Sequence, residues 1–381
     1  MDTSTGLDSM QIINAVDERR KRAETKALDI SLNELSDMHN SGELIIHPEY
    51  QRLFRWSRAK QSRFIESLLL EMPIPPIFTI EGEDGTWELI DGLQRLSTYL
   101  HFRGELDVSE LDPRIRKGDK LELVECDIVK ELNGLTYDDL PTALQIRLKR
   151  YFLRVETVRK ATDSHFRYYM FKRLNTGGET LSEQEVRNCT IRLLGNDFNY
   201  FIIDLSKSDD FRECIEPLSE ESRRRMGDVE LILRFFAFKN NFSEFRHDVS
   251  DFMTDFMERV SDPNHEKRIS FEYKREKMIF ERVFWLLKIT LGPNTCRRLI
   301  GNRYGGQFLI HHFEAISLGV SKIIDGINLE DSQRVERIKK ALTSIKRQEE
   351  FKVLTTGGGQ NSPGPYRKKI SFVANKLRSA L

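Results

Sequence analysis

Hydrophobic and polar positions in this chain follow two periods, and the change between them marks its organisation. In the first half, short apolar runs bounded by turn residues predict strands at 44–46, 77–81, 86–90, 121–128 and 151–157, with Asp84-Gly85 turning the second of these into the third. Helical spacing separates them. Ser31 with Glu34 forms a capping-box signature, and Leu32, Leu35 and Met38 share one face until Asn40-Ser41-Gly42. Ser57 opens a second helix with Phe64, Ile65, Leu68 and Leu69 on one stripe, which Pro73, Pro75 and Pro76 stop. A third helix is predicted to start near Asp138-Asp139, with Pro141 tolerated in its first turn.

From Ser182, where Glu185 completes a second capping box, the period becomes helical throughout. Segments 198–206, 228–239, 250–260, 274–291 and 308–325 carry aromatic and aliphatic residues at helical spacing, punctuated by Asp262-Pro263-Asn264 and Gly292-Pro293-Asn294. The many phenylalanines here read as core rather than as a ligand cage. The predicted class is α+β: a mixed domain over 28–195 after a polar leader at 1–27, then a mainly helical domain over 196–350 and a Gly-rich loop with a basic segment over 351–381. The leader, with Arg19-Arg20-Lys21-Arg22, reads as mobile or as a short peripheral helix.

Global charge discriminates nothing, because 60 Lys and Arg balance 60 Asp and Glu. Local charge does more. After Glu350 come Lys352, Arg367, Lys368, Lys369, Lys376 and Arg378 with no acid, which suits DNA contact and a solvated tail about equally. Cys126, Cys189, Cys214 and Cys296 show no metal-ligand spacing and read as reduced thiols, so neither zinc nor a redox cofactor is expected. The histidines lack partners at zinc spacing. With no signal-peptide pattern and no apolar run of about 20 residues, the expectation is a soluble cytoplasmic protein without a membrane partner.

The strongest chemical signal is Asp91-Gly92-Leu93-Gln94-Arg95, where an apolar strand turns at glycine into a helix. A helix start presents N–H groups without intrahelical acceptors and the positive end of the dipole, so an oxyanion is stabilised there. Arg95 can add a two-pronged grip. Asp91 can hold Mg²⁺ through oxygen or orient a water. The bland alternative is a turn in which Asp91 caps the helix and Arg95 forms a surface salt bridge. No P-loop occurs, so triphosphate chemistry would need this other cradle.

Together with Pro48-Glu49-Tyr50-Gln51-Arg52-Leu53-Phe54-Arg55-Trp56, Phe171-Lys172-Arg173-Leu174-Asn175-Thr176-Gly177-Gly178 and Leu181–Asn188, this turn resembles the N-terminal domain of GmrSD-type restriction endonucleases, a ParB/sulfiredoxin-like family. The resemblance spans roughly 28–195. It implies a ParB/sulfiredoxin-like fold with a nucleotide site formed by Gln51, Arg52, Trp56, Gly92, Arg95, Thr98, Asn175, Thr176 and Gly177. Asp91, Gln94 and Arg95 would be the catalytic set, with Glu185, Arg187 and Asn188 in support. The family motif reads Asp-Gly-Gln-Gln-Arg, and Leu93 replaces its first glutamine. Sulfiredoxin chemistry needs a cysteine in the turn, which holds Leu93 and Gln94 instead. The second half carries no His-Asn-His-like pattern, so the separate nuclease domain of many relatives is expected to be absent.

Three functions follow as expectations. The first is an NTP-binding and NTP-hydrolysing regulator of a bacterial or phage defence system, working with Mg²⁺ and a separate nuclease or defence subunit. The second is a DNA-binding or nicking protein using the same arginines on backbone phosphates, extended by Arg147, Lys149, Arg150, Arg154 and by Arg367, Lys368 and Lys369. The third is a catalytically silent scaffold. Homodimerisation, the base preferred and the identity of the partner are left open by the sequence.

Overall fold

The computed structural model describes residues 9–20, 24–46, 54, 56–82, 84–108, 114–159, 170, 182–191, 194–246, 248–357 and 361–381. Contacts divide the chain into two units, Met1–Thr180 and Leu181–Leu381. The class is α+β.

In the first unit, helix α1 (Ser9–Arg20) leaves Met10, Ile12, Ile13 and Val16 exposed. Five strands follow: β1 (Thr25–Ser31), β2 (Leu44–Ile45), β3 (Ile77–Glu81), β4 (Trp87–Asp91) and β5 (Phe152–Val158). They form one mixed sheet in the order β1-β5-β3-β4-β2. The β1–β5 and β3–β4 pairs are antiparallel, whereas β3–β5 and β2–β4 are parallel. Strand β1 is an addition to the predicted set. Only its last residues alternate in burial, so a polar edge strand is hard to tell from a leader by period.

Helices α2 (Leu32–Ser41), α3 (Arg58–Leu69) and α4 (Leu93–Arg103) start where expected, with Ser31 and Ser57 accepting from the backbone N–H of Glu34 and Lys60. Helix α5 (Thr142–Arg150) starts later than predicted. Asp139 is spent on the turn before it, accepting from the Thr136 backbone N–H at 2.9 Å, and Pro141 takes the N-cap position.

The strand predicted at 121–128 does not form. Its backbone groups find other partners: Val124 N–H donates to Ser62 Oγ, and Ile128 and Val129 N–H donate to Glu66 Oε1 at 3.0 and 2.6 Å. Leu123 pairs its N–H with the Leu135 carbonyl. Extended chain is satisfied here by α3 side chains and a loop, so no ladder is needed.

Among its described residues the second unit is helical apart from one hairpin and connecting turns. Helices α6 (Glu183–Thr190), α7 (Asp197–Leu205), α8 (Asp209–Cys214), α9 (Glu220–Arg224), α10 (Gly227–Asn240), α11 (Val249–Ser261) and α12 (Tyr273–Thr290) lead to strands β6 (Arg298–Ile300) and β7 (Arg303–Gly305). Helices α13 (Ile310–Ser321), α14 (Ser332–Arg347), α15 (Glu349–Thr355) and α16 (Pro363–Arg378) complete it. The phenylalanines form the core. Phe198, Phe235, Phe236, Phe280 and Phe284 are fully buried, and Phe284 meets Phe211 edge-on with centroids 5.0 Å apart.

The basic segment after Glu350 is not a solvated tail along its helical part. Tyr366, Ile370, Val373 and Leu377 of α16 are buried, and the Tyr366 ring stacks on Phe238 at 3.9 Å. Lys369 is completely buried against Glu314 and over the Tyr366 ring, so it cannot serve as the DNA contact expected of it. Arg367 and Lys368 remain exposed.

Candidate functional site

The candidate site is the turn from β4 into α4. Gly92 has φ +102° and occupies the N-cap position, so the cap is glycine rather than Asp91, and the N-cap makes no side-chain hydrogen bond to the helix. The position demands glycine twice over. Its φ lies in the left-handed region, and a Cβ would fall 2.3 Å from Ile77 Cγ2, because the end of β4 runs beside the start of β3.

Arg95 is held rather than free. One nitrogen donates to Asp91 Oδ2 at 2.6 Å and the other to the Pro75 carbonyl at 2.7 Å, with the side chain 14% exposed. The surface salt bridge anticipated as the bland alternative therefore exists, in a half-buried form that also ties the proline corner to the turn. Asp91 keeps its second oxygen without a partner among the described residues. One carboxylate of this kind fits Mg²⁺ that arrives on the phosphates of a nucleotide and reaches the protein through water. Among the described residues no group of three His, Cys, Asp or Glu side chains is placed to hold a metal ion by itself.

Gln94 joins two of the sequence clusters. Its Oε1 accepts from the Trp56 backbone N–H at 3.1 Å. The Trp56 carbonyl in turn accepts from Gln61 Nε2 at 2.8 Å, and Gln61 Oε1 lies 2.9 Å from His101 Nδ1. A carbonyl can only accept, so Gln61 must present its oxygen to His101, and Nδ1 carries the proton. Burial pushes the His101 imidazolium down from its ordinary range, which keeps the ring neutral. Gln61 and His101 belong to no motif, and nothing in their spacing announces them.

The other expected residues fall into three groups. Gln51, Arg52, Asn175, Thr176 and Gly177 lie outside the described residues. Thr98 is fully buried, and its hydroxyl has no partner among the described residues, so it faces the interior instead of the turn's surface. Leu93 is buried too.

Glu185, Arg187 and Asn188 are built into the second unit. Glu185 accepts from the Ser182 backbone N–H at 2.6 Å, closing the capping box. Arg187, 4% exposed, donates to Thr254 Oγ1, Gln184 Oε1 and the Ser250 carbonyl, and desolvation pushes its guanidinium down. Asn188 accepts from Gln184 at 2.7 Å. Their side chains hold helices together. Also within this unit is a cavity of about 440 Å³ lined by Ser182, Ser219, Ser222, Arg225, Glu230 and Phe308.

Residues 32–192 match the model of the GmrSD restriction endonuclease N-terminal domain family. Over this segment the chain is similar to that family. The match holds the β4–α4 turn, the Trp56–Gln94 link and α6 within one stretch of sequence. No curated protein and no solved structure matches the chain. Among the described residues no helix is long and apolar enough to cross a membrane.

Proposed function

We propose that the GmrSD-type domain has a ParB/sulfiredoxin-like arrangement and binds a nucleoside triphosphate at the Asp91–Arg95 turn. The chain would then act as the nucleotide-responsive component of a restriction-type DNA defence system. The observation that carries this reading is the α4 start: a helix N-terminus with no side-chain cap, opened by a left-handed glycine, with Arg95 across its first turn. Phosphate there would meet backbone N–H groups and would compete with Asp91 for Arg95. Asp91, released, would take Mg²⁺ through water. Gln94 supports the site by holding Trp56 against the turn.

A second reading is favoured by a specific contact. Arg95 already satisfies Asp91 and Pro75, and Leu93 replaces the family's glutamine, which together suit a scaffold that keeps the fold without the chemistry. Phosphate release from the four NTPs with Mg²⁺, with and without DNA, measured beside equilibrium binding for wild type and Arg95→Ala, separates the readings. Turnover that Arg95→Ala abolishes supports hydrolysis, binding without turnover supports a sensor, and neither supports the scaffold.

A further inference from the structure

The chain balances its charges overall, yet one surface of the second unit does not. Helix α14 carries Arg334, Arg337, Lys339, Lys340 and Arg347 outside its buried face against a single acid, Glu336. Arg337, Lys340, Ser344 and Arg347 make an exposed or half-exposed stripe spaced i, i+3, i+7 and i+10, about 15 Å long at the helical rise. The β6–β7 hairpin packs beside it. Register pairs Ile300 with Arg303, and Arg298 lies two residues before Ile300, so these three side chains share the outer face. Leu299 between them is buried, while Ile300 is 66% exposed. Arg298, Arg303, Arg337, Lys340 and Arg347 have no acidic partner within 4 Å among the described residues.

The underside of the hairpin is fixed to α14. Lys346 Nζ is buried and donates to the carbonyls of Asn294, Thr295 and Arg297 at 2.7, 2.8 and 2.8 Å, gripping the segment that leads into β6. The same ammonium lies over the Tyr304 ring on β7, and Arg347 reaches Asn302 Oδ1 in the turn at 3.1 Å. The cations are thus displayed on a preorganised ribbon rather than on a loose tail.

We propose that this hairpin and the exposed stripe of α14 form a docking surface for duplex DNA, with the hairpin entering the major groove and the stripe following the phosphates. Unpaired cations in a row call for a polyanion. A two-stranded ribbon matches the B-form major groove, about 12 Å wide, whereas the deep, narrow major groove of A-form RNA excludes it. Ile300, flanked by two arginines at the ribbon's end, suits a groove floor with thymine methyl groups better than a phosphate wall. The proposal uses none of the residues of the nucleotide reading, so either can fail alone.

The test is fluorescence anisotropy of a labelled 20-bp duplex with the full chain across a salt series. Wild type should bind with affinity falling as salt rises. Arg298→Gln/Arg303→Gln/Arg347→Gln should lose about tenfold or more in affinity, with a log–log salt slope shallower by about 2 to 3. The corresponding triple lysine variant should retain the slope, which separates lost charge from lost fold. Arg367→Gln/Lys368→Gln, on α16, should bind as wild type does. Absence of wild-type binding, an unchanged slope in the glutamine variant, or tighter binding to double-stranded RNA or anionic vesicles than to the duplex would overturn the proposal.

Discussion

The Arg95 guanidinium lies 2.6 Å from Asp91 Oδ2, four residues back, and its other nitrogen lies 2.7 Å from the carbonyl of Pro75, twenty residues back. One side chain therefore joins the end of β4, the corner before β3 and the first turn of α4. It is a structural clasp, and on the nucleotide reading it is also the group that phosphate would recruit. Arg95→Ala should cost about 1–3 kcal/mol in urea unfolding, the usual loss for hydrogen bonds made by a charged group. On the nucleotide reading, Mg²⁺ with NTP raises the thermal midpoint of wild type and leaves that of Arg95→Ala unmoved.

Gly92→Ala combines an unfavourable φ with a Cβ set against Ile77, in a β-strand that cannot easily move aside. The expected loss is more than about 2 kcal/mol, seen as a clear fall in the calorimetric midpoint. A Gly92 variant without activity would therefore report folding rather than phosphate contact. A midpoint equal to wild type would contradict the close approach.

Gln94→Ala removes the acceptor of the Trp56 amide. Amide exchange at Trp56 should speed up by about tenfold, the equivalent of one hydrogen bond, while Gln94→Glu should keep most of the protection because an oxygen remains. Unchanged exchange in Gln94→Ala would mean that the two clusters are held together by something else.

Burial pushes the His312 imidazole down to about 3. The unfolded chain then binds a proton that the folded chain refuses, so stability falls as pH drops below about 6.5, by roughly 1.4 kcal/mol per pH unit until the folded value is reached. His312 is buried, meets Phe351 edge-on and leaves Nδ1 without a partner among the described residues. His312→Phe should flatten the acid side of the urea-midpoint profile between pH 6.5 and 4 by one proton's worth. A slope identical to wild type would sink the assignment.

Lys346→Met should be far more damaging than its surface neighbours. The three carbonyls around Nζ match the three N–H bonds of an ammonium, and removing it strands them in the interior. A loss of about 3 kcal/mol or more is expected in urea unfolding, against less than about 0.5 for Lys340→Met.

Much of the fold was legible because it rests on local rules. The serine caps at 31, 57 and 182, the strands at 77–81 and 151–157, and the aromatic helices α7, α10, α11, α12 and α13 all follow from spacing and caps that neighbours in sequence control. Helix α14 was readable in principle from Ile338, Leu342 and Ile345, and Lys346 on that same face was the clue to a buried cation. The strand misread at 121–128 has strand-like period, but its hydrogen-bonding partners are Ser62 and Glu66, which no local rule identifies.

Sequence by itself determined the strand–glycine–helix turn, the similarity of the segment that contains it to the GmrSD-type N-terminal domain family, and the α+β class, since these depend on residue order along the chain. Tertiary structure alone decided that Arg95 is clasped by Pro75, that Gln94 holds Trp56, that Lys369 is buried beside Glu314, and that Arg187 serves the helical unit. The reason is physical. A charged or polar side chain takes its role from what desolvates it and which distant backbone groups come within about 3 Å, and both are set only when remote elements pack.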